Sequence, residues 1–149
     1  LWKNVNEHSE VLVIFQGPNA YISPNYYPTK HETGKAVPTW NYISVHVKGT
    51  ISYISDDNWK MAMLHKLTDQ HEVEQLKPWS IDDAPKSYID KMLSAIVGLE
   101  IHIGSIQGKW KISQNQPAIN QQGVISGLTE CADGKVKDMV AFIKSQLKS

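Results

Sequence analysis

A strict two-residue alternation over residues 39–47 is the feature that most limits what this chain can fold into. The segment TWNYISVHV has one face with Asn41, Ile43, Val45 and Val47, and another with Trp40, Tyr42, Ser44 and His46. Side chains that alternate in this way are typical of a half-buried β-strand and do not fit a helix. The segment therefore predicts a strand with one apolar face and one polar-aromatic face.

Two further apolar segments near the start of the chain predict strands. Residues 10–16 form an almost continuous apolar run, and residues 20–23 form a shorter one. Gly17-Pro18 lies between them and predicts a turn. Residues 23–38 are polar and rich in proline, so we expect a long loop, which in compact domains is often functional.

The remaining strands are expected around glycine residues. Lys48-Gly49 predicts a tight turn, which makes residues 39–55 a β-hairpin. Residues 99–113 return to strand alternation, with Gly104 and Gly108 as bulges or turns.

Helical periodicity dominates elsewhere. Asp56 or Asp57 can cap a helix that ends near His71, and a second helix begins after Asp83 and stops at Gly98. Two more are expected, from Pro117 to about Leu128 and over 135–147, where Val136, Met139, Val140, Ile143 and Leu147 form one stripe. We expect one α+β domain, divided into a β core (1–55 and 99–113), a helical insertion (56–98) and C-terminal helices (114–149).

Composition argues against direct nucleic-acid binding. The 149 residues include 15 lysines, no arginine and 15 acidic residues, so the formal net charge is zero. A protein that grips a phosphate backbone needs a basic excess. The single cysteine excludes an internal disulfide. Because no apolar run approaches the length of a membrane span, we expect no membrane association and a cytoplasmic location.

No metal or catalytic site emerges from the residue pattern. His65 and His71 are six positions apart, which places them on opposite sides of a helix, and no HExxH or CxxC motif occurs. Cys131 has no histidine near it in sequence, which favours a small packed side chain over a nucleophile.

Two clusters could bind a ligand. Trp40, Tyr42 and His46 share one strand face beside a loop with Tyr26, Tyr27 and Lys30, and flat aromatic walls suit a planar molecule. A dimer interface or a second core face would give the same pattern. The segment GKWKISQNQP (108–117) could hold a phosphate or a ring carbonyl, and it could equally be a strand-to-helix loop capped by Ser113 or Asn115.

Longer strings resemble a known family. They are VIFQGPNAYISPNYYPTKHE (13–32), VPTWNYISVHVKG (37–49), LTDQHE (67–72), DDAPKSYIDKMLSAIVGLEIHI (82–103) and GKWKISQNQP (108–117). These closely resemble the PaiB family, bacterial proteins described as negative transcriptional regulators within the FMN-binding split β-barrel superfamily. The resemblance implies an antiparallel, Greek-key-like split barrel with C-terminal helices, and a homodimer with FMN at the subunit interface.

Carried over by motif, the implied flavin site contains eleven residues of this chain. They are Lys30, Thr39, Trp40, Asn41, Tyr42, His46, Lys109, Lys111, Ser113, Gln114 and Asn115. The family motif SPxWY occurs here as SPNYY, so that Tyr26 keeps an aromatic plane. The motif SQNR occurs as SQNQ, and Gln116 removes an arginine that could hold a phosphate.

Family members also carry a further N-terminal segment that supplies the first barrel strands. The chain starts Leu1-Trp2-Lys3 without a methionine and soon enters a strand, so we expect that it lacks this segment.

The resemblance favours an FMN-binding negative transcriptional regulator. A flavin-dependent oxidoreductase of the pyridoxamine-phosphate-oxidase-like superfamily and a protein-interaction module with a vestigial flavin cleft are the alternatives. Because the chain has no arginine and no net charge, we expect any regulation to act through a protein partner.

Overall fold

The fold is α+β. The computed structural model describes residues 6, 8–131 and 136–147. Within this part of the chain, β1 (Glu10–Ile22), β2 (Thr39–Ile54) and β3 (Gly98–Lys111) form an antiparallel sheet in the order β1-β2-β3. The central strand β2 is therefore paired on both sides. The expected α+β class, with an antiparallel sheet and C-terminal helices, and the strand at residues 39–47 are confirmed.

Helices follow the first and second strands and close the chain. They are α1 (Pro28–Thr33), α2 (Asp57–Glu72), α3 (Lys86–Leu93), α4 (Ala118–Glu130) and α5 (Lys137–Gln146). Short 3-10 turns occupy Pro24–Tyr26 and Ile81–Asp83. In the described residues, no helix combines the length and the apolar character needed to cross a membrane.

The chain divides into two compact units. The first unit contains Lys48–Gly104 and the chain up to Val11, and the second contains Leu12–Val47 and the chain from Ser105 onward.

The second unit has an apolar core made by β1, β2, α4 and α5. Its buried side chains are Ala20, Ile22, Tyr27, Ile43, Ile112, Val124, Ile125, Leu128, Met139, Val140 and Ile143. The predicted stripe of α5 is confirmed for Met139, Val140 and Ile143, whereas Leu147 is 40% exposed. The predicted start of α4 after Pro117 is also confirmed.

In the first unit, α2 begins as predicted, because the Asp56 side chain accepts a hydrogen bond from the Asn58 amide at 2.8 Å. Lys60 is buried on this helix. Its Nζ pairs with Asp57 at 2.7 Å and donates to the carbonyl oxygens of Leu93 (3.5 Å) and Ile96 (3.3 Å). This lysine therefore ties α2 to the end of α3. The latter helix stops at Leu93, earlier than the predicted stop, and Gly98 starts β3 instead.

The predicted turn at Gly17-Pro18 is wrong, because β1 runs through both residues. β1 is at one edge of the described sheet, where a proline without an N–H group can be accommodated. A Cβ atom on Gly17 would lie 3.2 Å from the Ile43 Cβ, so glycine allows β1 to approach β2 closely.

The predicted hairpin at Lys48-Gly49 is also wrong, since β2 is one continuous strand. A Cβ atom at position 49 would lie 2.3 Å from the carbonyl oxygen of His102 in β3. Gly49 is therefore needed for close strand approach and not for a turn.

The predicted loop over residues 23–38 contains helical structure. Ser23 Oγ accepts a hydrogen bond from the Asn25 amide at 3.2 Å, which starts the first 3-10 turn. Pro28 then opens α1, and Gly34 ends it with a φ of 67°. Proline at the first helical position and glycine at the C-cap explain why this polar segment is ordered.

Candidate functional site

Strand β2 has two chemically different faces in the second unit. Asn41 is 1% exposed and Ile43 is 8% exposed, whereas Trp40 is 54% exposed. The alternation predicted from the sequence is confirmed for residues 40–43, whereas Ser44, Val45 and His46 are all partly buried. The described residues line three clefts beside this part of the strand.

The first, here called the aromatic cleft, has a volume of about 370 Å³. It is lined by Gln16, Gly17, Asn19, Trp40, Tyr42, Ile43 and Ser44. The Tyr21 ring meets the Trp40 ring edge-on, with centroids 6.0 Å apart and an interplanar angle of 72°. Exposed aromatic rings with a few amide groups beside them can bind a planar, partly polar ring system.

The second, the His46 cleft, adjoins the aromatic cleft because the two share Ser44. It has a volume of about 320 Å³ and is lined by Ser44, His46, Gln107, Gly108 and Lys109. His46 lies four positions after Tyr42, which is about 13 Å along a strand. A ligand with a flat ring and an anionic tail could therefore contact both clefts.

The third, the polar cleft, has a volume of about 370 Å³. It is lined by Tyr27, Thr29, Lys35, Ala36, Val37, Thr39, Asn41, Lys111, Ser113, Asn115, Gln116 and Asn120. No aspartate or glutamate belongs to this lining. The Lys111 ammonium donates a hydrogen bond to Thr39 Oγ1, a neutral partner.

A buried polar pair forms one wall of the polar cleft. Asn41 Nδ2 donates to Ser113 Oγ at 2.9 Å, and Ser113 is 4% exposed. Ser113 has a φ of 64°, a left-handed conformation that is uncommon for residues other than glycine. Burial raises the pKa of Tyr27, and a hydrogen bond with Ser113 partly offsets this rise. Tyr27 therefore keeps its proton at neutral pH.

A second network fixes the opposite wall. Asn120 is 4% exposed, and its Oδ1 accepts hydrogen bonds from the backbone N (3.3 Å) and Oγ1 (3.1 Å) of Thr29. Its Nδ2 donates to Gln116 Oε1 at 3.0 Å. Asn120 is not among the sequence-predicted site residues. The available signal was its position on the buried stripe of α4 with Val124 and Leu128, where a polar side chain requires a partner.

Nine of the eleven sequence-predicted site residues line these clefts. Thr39, Asn41, Lys111, Ser113 and Asn115 line the polar cleft, Trp40 and Tyr42 the aromatic cleft, and His46 and Lys109 the His46 cleft.

The other two predicted residues, Lys30 and Gln114, are outside the three linings. Lys30 Nζ donates to Asn25 Oδ1. Gln114 accepts from the Ile112 amide at 2.8 Å and donates to the Trp110 carbonyl at 2.6 Å, so it stabilises the turn after β3.

Comparisons with known proteins agree with the resemblance seen in the sequence. A family model with the description "Putative FMN-binding domain" matches residues 1–105. Protease synthase and sporulation protein PAI 2 of Bacillus subtilis is 31% identical over 147 residues, which are 99% of this chain and 68% of that protein.

Fungal proteins are also similar. An uncharacterised protein of Emericella nidulans is 40% identical over 129 residues, and one of Aspergillus fumigatus is 36% identical over 134 residues. Each match covers 79% of this chain and 51% of the relative. The chain thus spans about half the length of these curated relatives. Because relatives occur in fungi as well as in Bacillus subtilis, the bacterial origin that the family resemblance implies is not supported for this chain.

Proposed function

The chain belongs to the PaiB family of FMN-binding-domain proteins, and on that premise we propose that it binds flavin mononucleotide and acts as a regulatory protein. The isoalloxazine ring lies in the aromatic cleft against Trp40 and Tyr42, and the phosphate end extends toward His46 and Lys109. The observation that carries this proposal is the sharing of Ser44 by the two clefts. Together they provide an aromatic wall from β2 and an end lined by His46 of β2 and Lys109 of β3.

Each part of the ligand has a matching group in this arrangement. An exposed Trp40 ring offers a flat apolar surface, on which a heteroaromatic ring can stack. Lys109 supplies a positive charge for a phosphate, and His46 supplies an imidazole donor. The flavin itself carries the capacity to accept and return electrons.

We further propose that the sheet is part of a split β-barrel and that the protein works as a homodimer. The edge strands of the described sheet, β1 and β3, both expose large apolar side chains. These side chains are Leu12, Ile14, Phe15, Ile103, Ile106 and Trp110. Long apolar edge strands are normally covered by further strands or by a second subunit. A barrel interface would bury them.

Regulation is proposed to occur through a protein partner in the cytoplasm. With no arginine and a net charge of zero, the chain has little electrostatic attraction for a DNA backbone. Specific operator binding by this chain alone at physiological salt would contradict this part of the proposal.

A visible absorbance spectrum of the purified chain, with intact mass measured on the same sample, tests flavin binding. We expect a flavin band, either retained or restored by added FMN, at about one flavin per chain. His46→Ala should weaken the affinity for FMN at least tenfold, since a hydrogen bond to a charged group contributes about 1.5–3 kcal/mol. The flavin content of the purified variant should fall accordingly.

His102→Ala is the matched control, because His102 is an exposed β3 histidine outside the three cleft linings. Its flavin content should equal that of the wild type. A wild-type chain that carries no flavin after incubation with excess FMN and removal of the free FMN would contradict the proposal. Equal flavin content in both histidine variants would contradict the placement of the flavin beside His46.

A further inference from the structure

We propose that the segment between α2 and α3 docks a partner protein whose surface combines apolar side chains with lysine or arginine. This docking segment comprises residues 69–83, from the last turn of α2 to the 3-10 turn before α3, and it lies within the first unit. The inference names the partner chemistry of the proposed regulation and rests on that part of the proposed function. It does not depend on flavin binding.

The docking segment exposes three apolar side chains. Leu76 is 108% exposed, Val73 is 74% exposed and Trp79 is 45% exposed. At this exposure the Leu76 side chain stands clear of the rest of the described chain, so it contributes nothing to the packing of the fold. Single exposed apolar residues are common on protein surfaces, whereas a group of them within seven positions is typical of an interaction site.

Hydrogen bonds to the backbone hold the docking segment in a defined shape. The Glu72 carboxylate accepts a hydrogen bond from the Trp79 amide at 2.9 Å, which closes the loop that carries Val73 and Leu76. Ser80 and Asp83 then form a capping box, in which the Ser80 amide donates to Asp83 Oδ2 at 3.0 Å. A loop that is fixed before binding loses little conformational entropy when a partner covers its apolar side chains.

The charge of the docking segment selects a basic partner. Five of the chain's 15 acidic residues lie within residues 69–83, together with one lysine. The acidic residues are Asp69, Glu72, Glu74, Asp82 and Asp83, and the lysine is Lys77. Within the described residues, none of these five carboxylates forms an ion pair. Unpaired carboxylates beside apolar side chains complement a surface on which lysine or arginine flanks apolar groups.

Two other occupants match this surface less well. A twofold dimer through the docking segment would bring two acidic surfaces face to face, and like charges repel. An anionic membrane would also repel the carboxylates, although leucine and tryptophan are suited to a lipid interface. A basic and apolar protein surface matches both the charge and the exposed side chains.

Fluorescence anisotropy of a labelled amphipathic peptide of leucine and lysine, titrated with the purified chain, tests the inference. A peptide of leucine and glutamate with the same pattern is the control. We expect saturable binding of the leucine–lysine peptide with a Kd below about 100 μM, weakened by added salt, and no binding of the control peptide.

Variants locate the binding surface. Leu76→Ser should weaken peptide binding at least tenfold, whereas Ile119→Ser, at a 56% exposed position on α4, should leave the Kd unchanged. Glu74→Gln should weaken binding several-fold, and Glu32→Gln, at an exposed position on α1, should not. Because Leu76 and Glu74 are exposed, their variants should fold like the wild type.

Four results would overturn the inference. They are no saturable binding of the leucine–lysine peptide, equal binding of the leucine–glutamate peptide, equal loss in Leu76→Ser and Ile119→Ser, and loss of flavin in Leu76→Ser. Self-association of the wild type that Leu76→Ser abolishes would identify a second copy as the occupant, and binding to phosphatidylcholine vesicles that Leu76→Ser abolishes would identify a membrane. Either result would replace the inference. A chain that carries flavin but ignores the peptide contradicts this inference alone, and a chain that binds the peptide but no flavin contradicts the flavin proposal alone.

Discussion

The amide nitrogen Nδ2 of Asn41 lies 2.9 Å from Ser113 Oγ, although the two residues are 72 positions apart in sequence. Both side chains are at least 96% buried. The pair links the inward face of β2 to the turn after β3, where Tyr27 approaches the same hydroxyl. The Ser113 hydroxyl thus connects β2, the turn after β3 and the segment around Tyr27 through buried hydrogen bonds.

Replacing Asn41 by leucine should destabilise the protein. Leucine is branched at the same carbon as asparagine but has no polar group, so the Ser113 hydroxyl loses its amide donor inside the core, and the loss of one partner of a buried hydrogen bond costs about 1–3 kcal/mol. We expect the free energy of unfolding, measured by urea denaturation, to fall by that amount.

Asn19→Leu is the control for this substitution, because Asn19 is an exposed asparagine of β1. Its free energy of unfolding should change by less than about 0.5 kcal/mol. Equal effects of the two substitutions would show that the Asn41–Ser113 contact contributes nothing specific.

Stability should fall at alkaline pH because of Tyr27. Its pKa is raised from 10.0 by burial, so the folded chain holds the phenolic proton more tightly than the unfolded chain does. The stabilisation is fully present below pH 10 and is lost as the pH rises through the folded-state pKa. Urea denaturation between pH 8 and pH 11 should show this decline, and Tyr27→Phe should reduce it.

Tyr88→Phe provides the comparison, since Tyr88 is 56% exposed on α3. This variant should keep the alkaline decline of the wild type. A Tyr27→Phe protein with an unchanged decline would exclude Tyr27 as its source.

Replacement by alanine should lower the free energy of unfolding much more at Gly49 in β2 than at Gly104 in β3. A Cβ atom at Gly49 would meet the His102 carbonyl oxygen at 2.3 Å, which only a backbone shift can relieve, whereas at Gly104 the nearest atom is 3.6 Å away. Gly49→Ala should lower the free energy of unfolding by about 1–3 kcal/mol, measured by urea denaturation. Gly104→Ala should be close to neutral. Similar losses for both would contradict the close approach of the strands at Gly49.

Gly17 and Gly49 show where the sequence is insufficient to predict the fold. The local sequence predicts a turn at each of them, because glycine favours turns. Their actual role is to allow another strand to come close, and the neighbour that requires it is distant in sequence. The alternation of β2 and the cap of α2 were predictable, since both depend on residues only a few positions apart.

In the candidate site, too, features that depend on residues close in sequence were predictable, and features that depend on distant residues were not. Trp40, Tyr42 and His46 were predicted to share a face, and the structure places them in two adjoining clefts. The polar cleft required knowledge of tertiary contacts. Lys35 and Asn120 come from segments 85 residues apart, and no local pattern connects them.

Two glycines on α4 should respond to alanine in different ways because of Tyr26. A Cβ atom on Gly127 would lie 2.2 Å from the Tyr26 ring, whereas one on Gly123 would lie 2.0 Å from the Tyr26 backbone oxygen. Both substitutions should destabilise the wild type by about 1–3 kcal/mol in thermal or urea unfolding, although alanine favours a helix over glycine by about 1 kcal/mol.

The Tyr26→Ala background separates the two positions. Without the ring, Gly127→Ala should become stabilising by up to about 1 kcal/mol, because only the helix propensity remains. Gly123→Ala should stay destabilising there, since the obstructing backbone oxygen is still present. Ser126→Ala, at an exposed position of the same helix, should change stability by less than about 0.5 kcal/mol in either background. If Gly127→Ala stays destabilising without the ring, the packing of Tyr26 against α4 is not the cause.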